Sequence, residues 1–156
     1  MTNLKKVLLA VLCGIILFLS VFFIGKTTGW ITPSGELIQM KPAEMKEYMN
    51  KHPTGFVVLS WDQNEREIYL NHLDNVAKEK KINIRELNFS QSSIGEHDQQ
   101  TQYGINSKQK LDSLAFYKNG ELMGQVFFDE YERKINDLDG ALNAFIQDMS
   151  QIYGLK

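Results

Sequence analysis

The run Phe56 to Trp61, FVVLSW, narrows the folds open to this chain more than any other segment. It has strand length, is dense in apolar and β-branched side chains, and lacks the polar alternation of a half-exposed strand. It therefore predicts a central parallel strand buried on both faces. Such a strand needs a covering layer on each side, which here means helices packed above and below a sheet.

The flanking sequence supplies those layers. Gly35 to Met40 (GELIQM) predicts a short strand, and Pro42 suits the first turn of a helix with Met45, Tyr48 and Met49 on one face; Pro53-Thr54-Gly55 ends it. After FVVLSW, Asp62-Gln63-Asn64-Glu65 has the form of a capping box, with Asp62 as N-cap and Glu65 at the third helical position. The helix it opens is expected to bury Ile68, Tyr69, Leu73, Val76 and Ala77, and Lys78 to Lys81 suit the negative end of its dipole. Ile82 to Phe89 (INIRELNF) predicts a third strand. Ser90 to Lys110 is polar and predicts loop with one weak helix around Asp98 to Tyr103.

Asn119-Gly120 between Ser113–Lys118 and Glu121–Phe128 predicts a hairpin with a type I′ turn. A closing helix from about Tyr131 to Ile152 places Ile135, Leu138, Leu142, Phe145, Met149 and Ile152 at three- and four-residue spacing, and Gly140 weakens it or marks its start. Parallel crossovers followed by an antiparallel hairpin and a last helix give an α/β fold: a mixed sheet covered on both faces.

Ahead of this domain, Val7 to Ile24 is 18 residues without a charge. As a helix it would be about 27 Å long, near the thickness of a bilayer's hydrocarbon core. Lys5 and Lys6 precede it and Lys26 follows, so the positive-inside bias places the N-terminus in the cytoplasm and the domain outside. The expected organisation is a cytoplasmic stretch at 1–6, a transmembrane anchor at 7–25, a linker at 26–34 and a domain at 35–156. That makes a single-pass protein of the cell membrane. A cleaved secretory signal is the competing reading, but Val21-Phe22-Phe23-Ile24 leads into Gly25-Lys26 without a small-x-small site.

The single cysteine, Cys13, falls inside the apolar run, so the domain behind it has none. Dithiol exchange needs an attacking thiolate and a resolving sulfur in one exposed site, and the domain offers neither. Of 17 basic residues, three lie in residues 1–30; the remaining 14 against 19 acids give the rest of the chain a net charge of −5. That balance argues against nucleic acid, which calls for clustered cations.

This element order, FVVLSW leading into a helix, Tyr103-Gly104-Ile105, and the run Ser113-Leu114-Ala115-Phe116-Tyr117-Lys118-Asn119-Gly120-Glu121 together resemble the thioredoxin family over roughly residues 36 to 152. The resemblance implies a thioredoxin-like mixed sheet behind the transmembrane helix. Two of the family's functional signatures are missing. Where it carries Cys-x-x-Cys, this chain has Asp62 to Ile68, and the proline that members hold in cis before the hairpin falls at Asp112. Met40-Lys41-Pro42-Ala43-Glu44-Met45, the Gram-positive-looking anchor and FVVLS are most similar to the thioredoxin-like accessory proteins associated with bacteriocin production. A relative of these without cysteines implies a role in binding, immunity or export assistance.

Trp61, Asp62, Asn64, Glu65, Glu67 and Asp112 are the candidate binding residues, gathered where the family's substrate groove would lie. The acids form either a recognition edge for a basic or extended peptide or a simple complement to a helix N-terminus. Trp61 is either an aromatic platform or core, and Asp112, an acid beside an apolar strand, is expected to face the groove. His52, His72 and His97 show no metal-ligand spacing, and no catalytic constellation, phosphate loop or GxGxxG is present, so neither metal nor cofactor is expected. The expected function is a membrane-anchored accessory factor that binds an extracytoplasmic peptide or protein. The alternative is a subunit of a thiol-disulfide oxidoreductase system whose thiols come from a partner.

Overall fold

Among the described residues, ten segments follow one another much as the apolar periodicity requires. They are β1 (Leu37–Met40), α1 (Pro42–Lys51), β2 (Gly55–Ser60), α2 (Arg66–Lys80), β3 (Ile84–Asn88), a 3₁₀ turn at Gln100–Tyr103, β4 (Ser113–Lys118), β5 (Glu121–Phe127), a second 3₁₀ segment at Asp129–Lys134, and α3 (Ile135–Tyr153). The structure, a computed structural model, describes residues 35–61, 64–91, 93–95 and 97–155. They belong to a unit running from Ser34 to Lys156. The expected anchor at 7–25, Cys13, the cytoplasmic stretch and the linker lie outside the described residues. Among the described residues no helix is long and apolar enough to cross a membrane.

The sheet order is β1-β3-β2-β4-β5, parallel from β1 through β3 to β2 and antiparallel across β2–β4 and β4–β5. β2 is central and buried from Phe56 to Ser60, as FVVLSW predicts, but it is parallel to one neighbour and antiparallel to the other. Strand alternation sends its side chains to two cores. Phe56 and Val58 join Ile84, Leu114 and Phe116 beneath α2 and α3, while Val57 and Leu59 join Leu87, Ala115 and Tyr117 beneath Met45 and Met49 of α1. A fully buried Leu or Phe contributes about 1.5–3 kcal/mol relative to exposure, so burying both faces makes β2 the best-anchored strand.

The helices correct several expectations. α2 begins at Arg66 and not at the predicted Asp62 cap; Glu65 occupies the N-cap position in αR geometry without a side-chain capping bond. The cause is tertiary, because the Arg66 side chain is drawn inward onto Glu86. The buried stripe of α2 contains Leu70, with Tyr69, Leu73, Val76 and Ala77, whereas Ile68 lies on the exposed side. In α3, Leu138, Leu142 and Ile146 are buried and Gly140 is interior to the helix. The predicted Ile152 is exposed, and Tyr153 and Leu155 pack on the core in its place. Around Asp98 to Tyr103 the chain forms a single 3₁₀ turn in place of an α-helix.

The hairpin follows its turn chemistry. Asn119 and Gly120 both have positive φ, 53° and 82°, as a type I′ turn requires. The tip is docked: Gly120 N–H donates to the Pro53 carbonyl at 2.7 Å and Asn119 N–H to Thr54 Oγ1 at 3.0 Å. Gly104 ends the 3₁₀ turn at φ +78°, where an added Cβ would stand 2.9 Å from Met49 Cβ, so this turn can close on α1 only with glycine.

The 105–112 segment carries no periodic signal and is held by polar side chains. Gln109, buried, donates through Nε2 to the Val57 carbonyl at 3.1 Å, and its Oε1 accepts the Tyr117 hydroxyl at 2.8 Å; that hydroxyl in turn accepts Asn106 N–H at 2.9 Å. Burial pushes the Tyr117 phenol up to about 12. Burial, reinforced by Glu65, raises Tyr69 as well. A raised folded-state value means full stability below the unfolded value near 10 and progressive loss as pH climbs through the folded one. Unfolding free energy is therefore expected to fall between about pH 10 and 12, and Tyr117→Phe to flatten part of that fall while costing about 1–2 kcal/mol at neutral pH. Urea unfolding across this pH range measures both.

Candidate functional site

The carboxyl ends of β2 and β3 and the amino end of the antiparallel β4 meet at one edge of the sheet, and there the chain leaves its ladders. Trp61 follows β2 directly. Its N–H donates to Asp112 Oδ1 at 2.7 Å, just beyond the last β2–β4 pair, Leu59 opposite Ser113. On the other side, Phe89 N–H donates to the Ser60 carbonyl at 2.7 Å. These bonds bring together three segments distant in sequence, and the Trp61 and Phe89 rings lie 6.1 Å apart at 45°.

Between them opens a cleft of about 350 Å³. Trp61, Phe89, Ile94 and Leu111 form its apolar walls, and Ser90 and Gln91 contribute to its lining. Trp61 is 48% exposed and Leu111 39%, and the two line the same depression, whereas a single exposed apolar side chain would carry no meaning. The loop carrying Leu111 is pinned from behind. Gln125 accepts Lys110 N–H and donates to the Lys108 carbonyl, and Ser113 Oγ donates to the Lys110 carbonyl. The opposite rim is set by Asp98, whose carboxylate accepts Gly95 N–H at 2.7 Å and the Tyr103 hydroxyl at 2.8 Å. Those bonds, the Gly95 amide first, hold the Asp98 carboxyl below its ordinary value.

Of the residues singled out in the sequence, Trp61 and Asp112 are brought into direct contact. Trp61 is a surface aromatic. Asp112, expected to face the groove, is buried, with its carboxylate turned to the Trp61 backbone. Glu65 accepts the Tyr69 hydroxyl at 2.6 Å, so this carboxylate is engaged within its own helix. Asn64 and Glu67 are exposed, and Asp62 lies outside the described residues. Phe89, Ile94 and Leu111 were not singled out; the exposed apolar residue beside Asp112 was the one available hint.

Beneath the turn lies a buried charge pair that no sequence spacing announces. Glu86 on β3 is fully buried; Arg66 Nη2 lies 2.8 Å from its Oε1 and 3.0 Å from Oε2, with Nε 2.9 Å from Oε1, and Ser60 Oγ donates to the same carboxylate. One carboxylate thus ties the last residue of β2 to the first of α2.

The histidines are dispersed: His72 Nδ1 lies 2.7 Å from Asp139 Oδ1 between α2 and α3, His52 stacks near Tyr48, and His97 is exposed. Among the described residues no group of three or more His, Cys, Asp or Glu could hold a metal ion. A second depression, about 240 Å³, lies on α1 around Met40, Tyr48 and His52. The Lys51–Glu47 ion pair on its border is exposed, and charged Glu44, Glu47 and Lys51 line it beside Tyr48 and His52. Compared with known proteins, the chain matches no family model, no curated protein and no solved structure.

Removing one member of the buried pair strands the other's charge, which typically costs about 3–5 kcal/mol. Arg66→Met is expected to lose stability in that range, and adding Glu86→Leu to recover most of it. Urea unfolding of the two variants and the unaltered chain gives the comparison.

Proposed function

We propose that this chain is a membrane-anchored, extracytoplasmic, thioredoxin-like domain that binds a protein or peptide partner and carries out no dithiol exchange of its own. The observation that carries the reading is the cleft at the carboxyl end of β2, walled by the exposed Trp61 and Leu111 in a domain whose sequence contains no cysteine. The mixed five-stranded sheet with parallel crossovers, a terminal antiparallel hairpin and a last helix supports the thioredoxin-like assignment, since a mixed sheet of this kind is what the resemblance implies. The uncharged run Val7 to Ile24 and its flanking lysines support the anchor and its orientation.

The cleft's size and lining fit a bulky apolar side chain presented by an extended segment, with main-chain groups of the partner free to meet the polar rim. The net charge of −5 beyond residue 30 and the exposed Glu67 at the first turn of α2 favour a segment that is also basic. A peptide both basic and apolar is compatible with a role in bacteriocin production, export or immunity, the setting suggested by the resemblance to bacteriocin-associated accessory proteins.

In-cell photocrosslinking from a benzoyl-phenylalanine at Leu111 of the full-length protein tests this. A discrete extracytoplasmic peptide or protein is the expected adduct, and adducts to lipid alone would reject the reading. Trp61→Ala is expected to weaken capture of that partner by about 2 kcal/mol, roughly thirtyfold, as truncation of a central aromatic anchor does.

A further inference from the structure

The β2–β4 ladder stops at Leu59 opposite Ser113, so the backbone N–H of Trp61 lies past the reach of strand pairing. Asp112 meets it with a side chain: its Oδ1 accepts that N–H at 2.7 Å, bridging the two segments just past the end of the ladder. The residue pays for this twice. Its carboxylate is almost wholly buried, which is costly without hydrogen bonds, and its backbone sits at φ 51°, in the left-handed region that few residues besides Gly, Asn and Asp enter readily. Its own carbonyl accepts Phe128 N–H at 2.9 Å, which fixes the backbone from which the side chain projects. A start to β4 needs neither an acid nor this conformation; an acceptor aimed at Trp61 needs both a short polar side chain and the turned backbone.

We infer that Asp112 is a positioning residue that sets the direction in which the Trp61 indole leaves the sheet and thereby shapes the cleft wall; this rests on the reading of the cleft as a binding site. The bond also couples the two most exposed walls, because Leu111 precedes Asp112 in the same loop.

The chain has two tryptophans, so Trp30→Phe leaves Trp61 as the sole reporter. In full-length protein carrying this change, labelled with 5-fluorotryptophan and held in detergent micelles, Trp61 is expected to give a single ¹⁹F resonance. Asp112→Asn keeps an acceptor oxygen and tolerates the left-handed backbone, and is expected to leave the resonance in place. Asp112→Gly takes that backbone freely but removes the acceptor, and is expected to shift or split the resonance and raise acrylamide quenching of Trp61. Leu142→Ala, a core truncation beneath the middle of α3 in the cluster that does not include Trp61, controls for stability loss and is expected to leave the signal unmoved. An unchanged resonance in folded Asp112→Gly would overturn the inference. Should that variant fail to fold, fast hydrogen exchange of the Trp61 amide in the unaltered protein would overturn it equally, and slow exchange is expected. A shifted resonance in a protein whose partner capture ignores Trp61→Ala upholds the positioning role and rejects the binding reading; an unshifted one where capture depends on Trp61 rejects the positioning role alone.

Discussion

Burial of β2 on both faces and pairing on both edges is the constraint from which the rest of the domain follows. Phe56 and Val58 demand α2 and α3 on one side; Val57 and Leu59 demand α1 on the other. A parallel crossover is right-handed, and β1 and β3 lie on the same side of β2 in the sheet. The chain therefore reaches β2 from β1 over one face and leaves it for β3 over the other, which puts α1 and α2 on opposite faces. With its faces and edges occupied, β2 stays buried from Phe56 to Ser60, and the chain next meets solvent just past its carboxyl end. That is where Trp61 emerges, and in open α/β sheets the region outside the carboxyl ends of the strands is where ligands are commonly held.

The polar groups at that end are spent on holding the chain in place. The Glu86 carboxylate binds both Ser60 and Arg66, so the end of β2 and the start of α2 share one buried anchor. Its desolvation is offset by three donors, and its value to the protein lies more in fixing where α2 starts than in net stability, since a buried pair rarely outperforms an apolar replacement. The same pair explains the displaced helix start. A capping box at Asp62 would have begun the helix about a turn earlier and carried Arg66 out of register with Glu86.

What was legible in the sequence is what depends on near neighbours. The hairpin rests on two adjacent residues, Asn119 and Gly120, and the α3 stripe on three- and four-residue spacing, so both were readable. The α2 stripe of Tyr69, Leu73, Val76 and Ala77 was readable too, but Ile68 and Leu70 flank it on opposite sides, and spacing alone does not say which flank the neighbouring elements cover. The 90–112 segment was unreadable for another reason. It folds around side-chain to main-chain bonds such as Gln100 to the Asn106 and Gln109 carbonyls, which leave no apolar period. The cleft inherits both problems: Trp61 could be noticed as a strand terminus, but Phe89, Ile94 and Leu111 become its neighbours through bonds spanning dozens of residues.

Under the proposed binding role, a cleft in a domain without cysteine changes what recognition there would rely on. A covalent mixed disulfide would tolerate weak non-covalent contact, because the bond itself retains the partner. Without one, retention falls to the apolar walls, the polar rim and any main-chain pairing, and affinity depends on how little those groups must be ordered on binding. The domain meets that demand by ordering them beforehand. Gln125 and Ser113 pin the loop under Leu111, Asp98 fixes the Gly95 rim, Phe89 is tied to Ser60, and Trp61 to Asp112. Most of these bonds engage backbone groups of the segments that carry Trp61, Phe89, Leu111 and the Gly95 rim, so the side chains of the apolar walls are left for a partner while the segments beneath them are held in place.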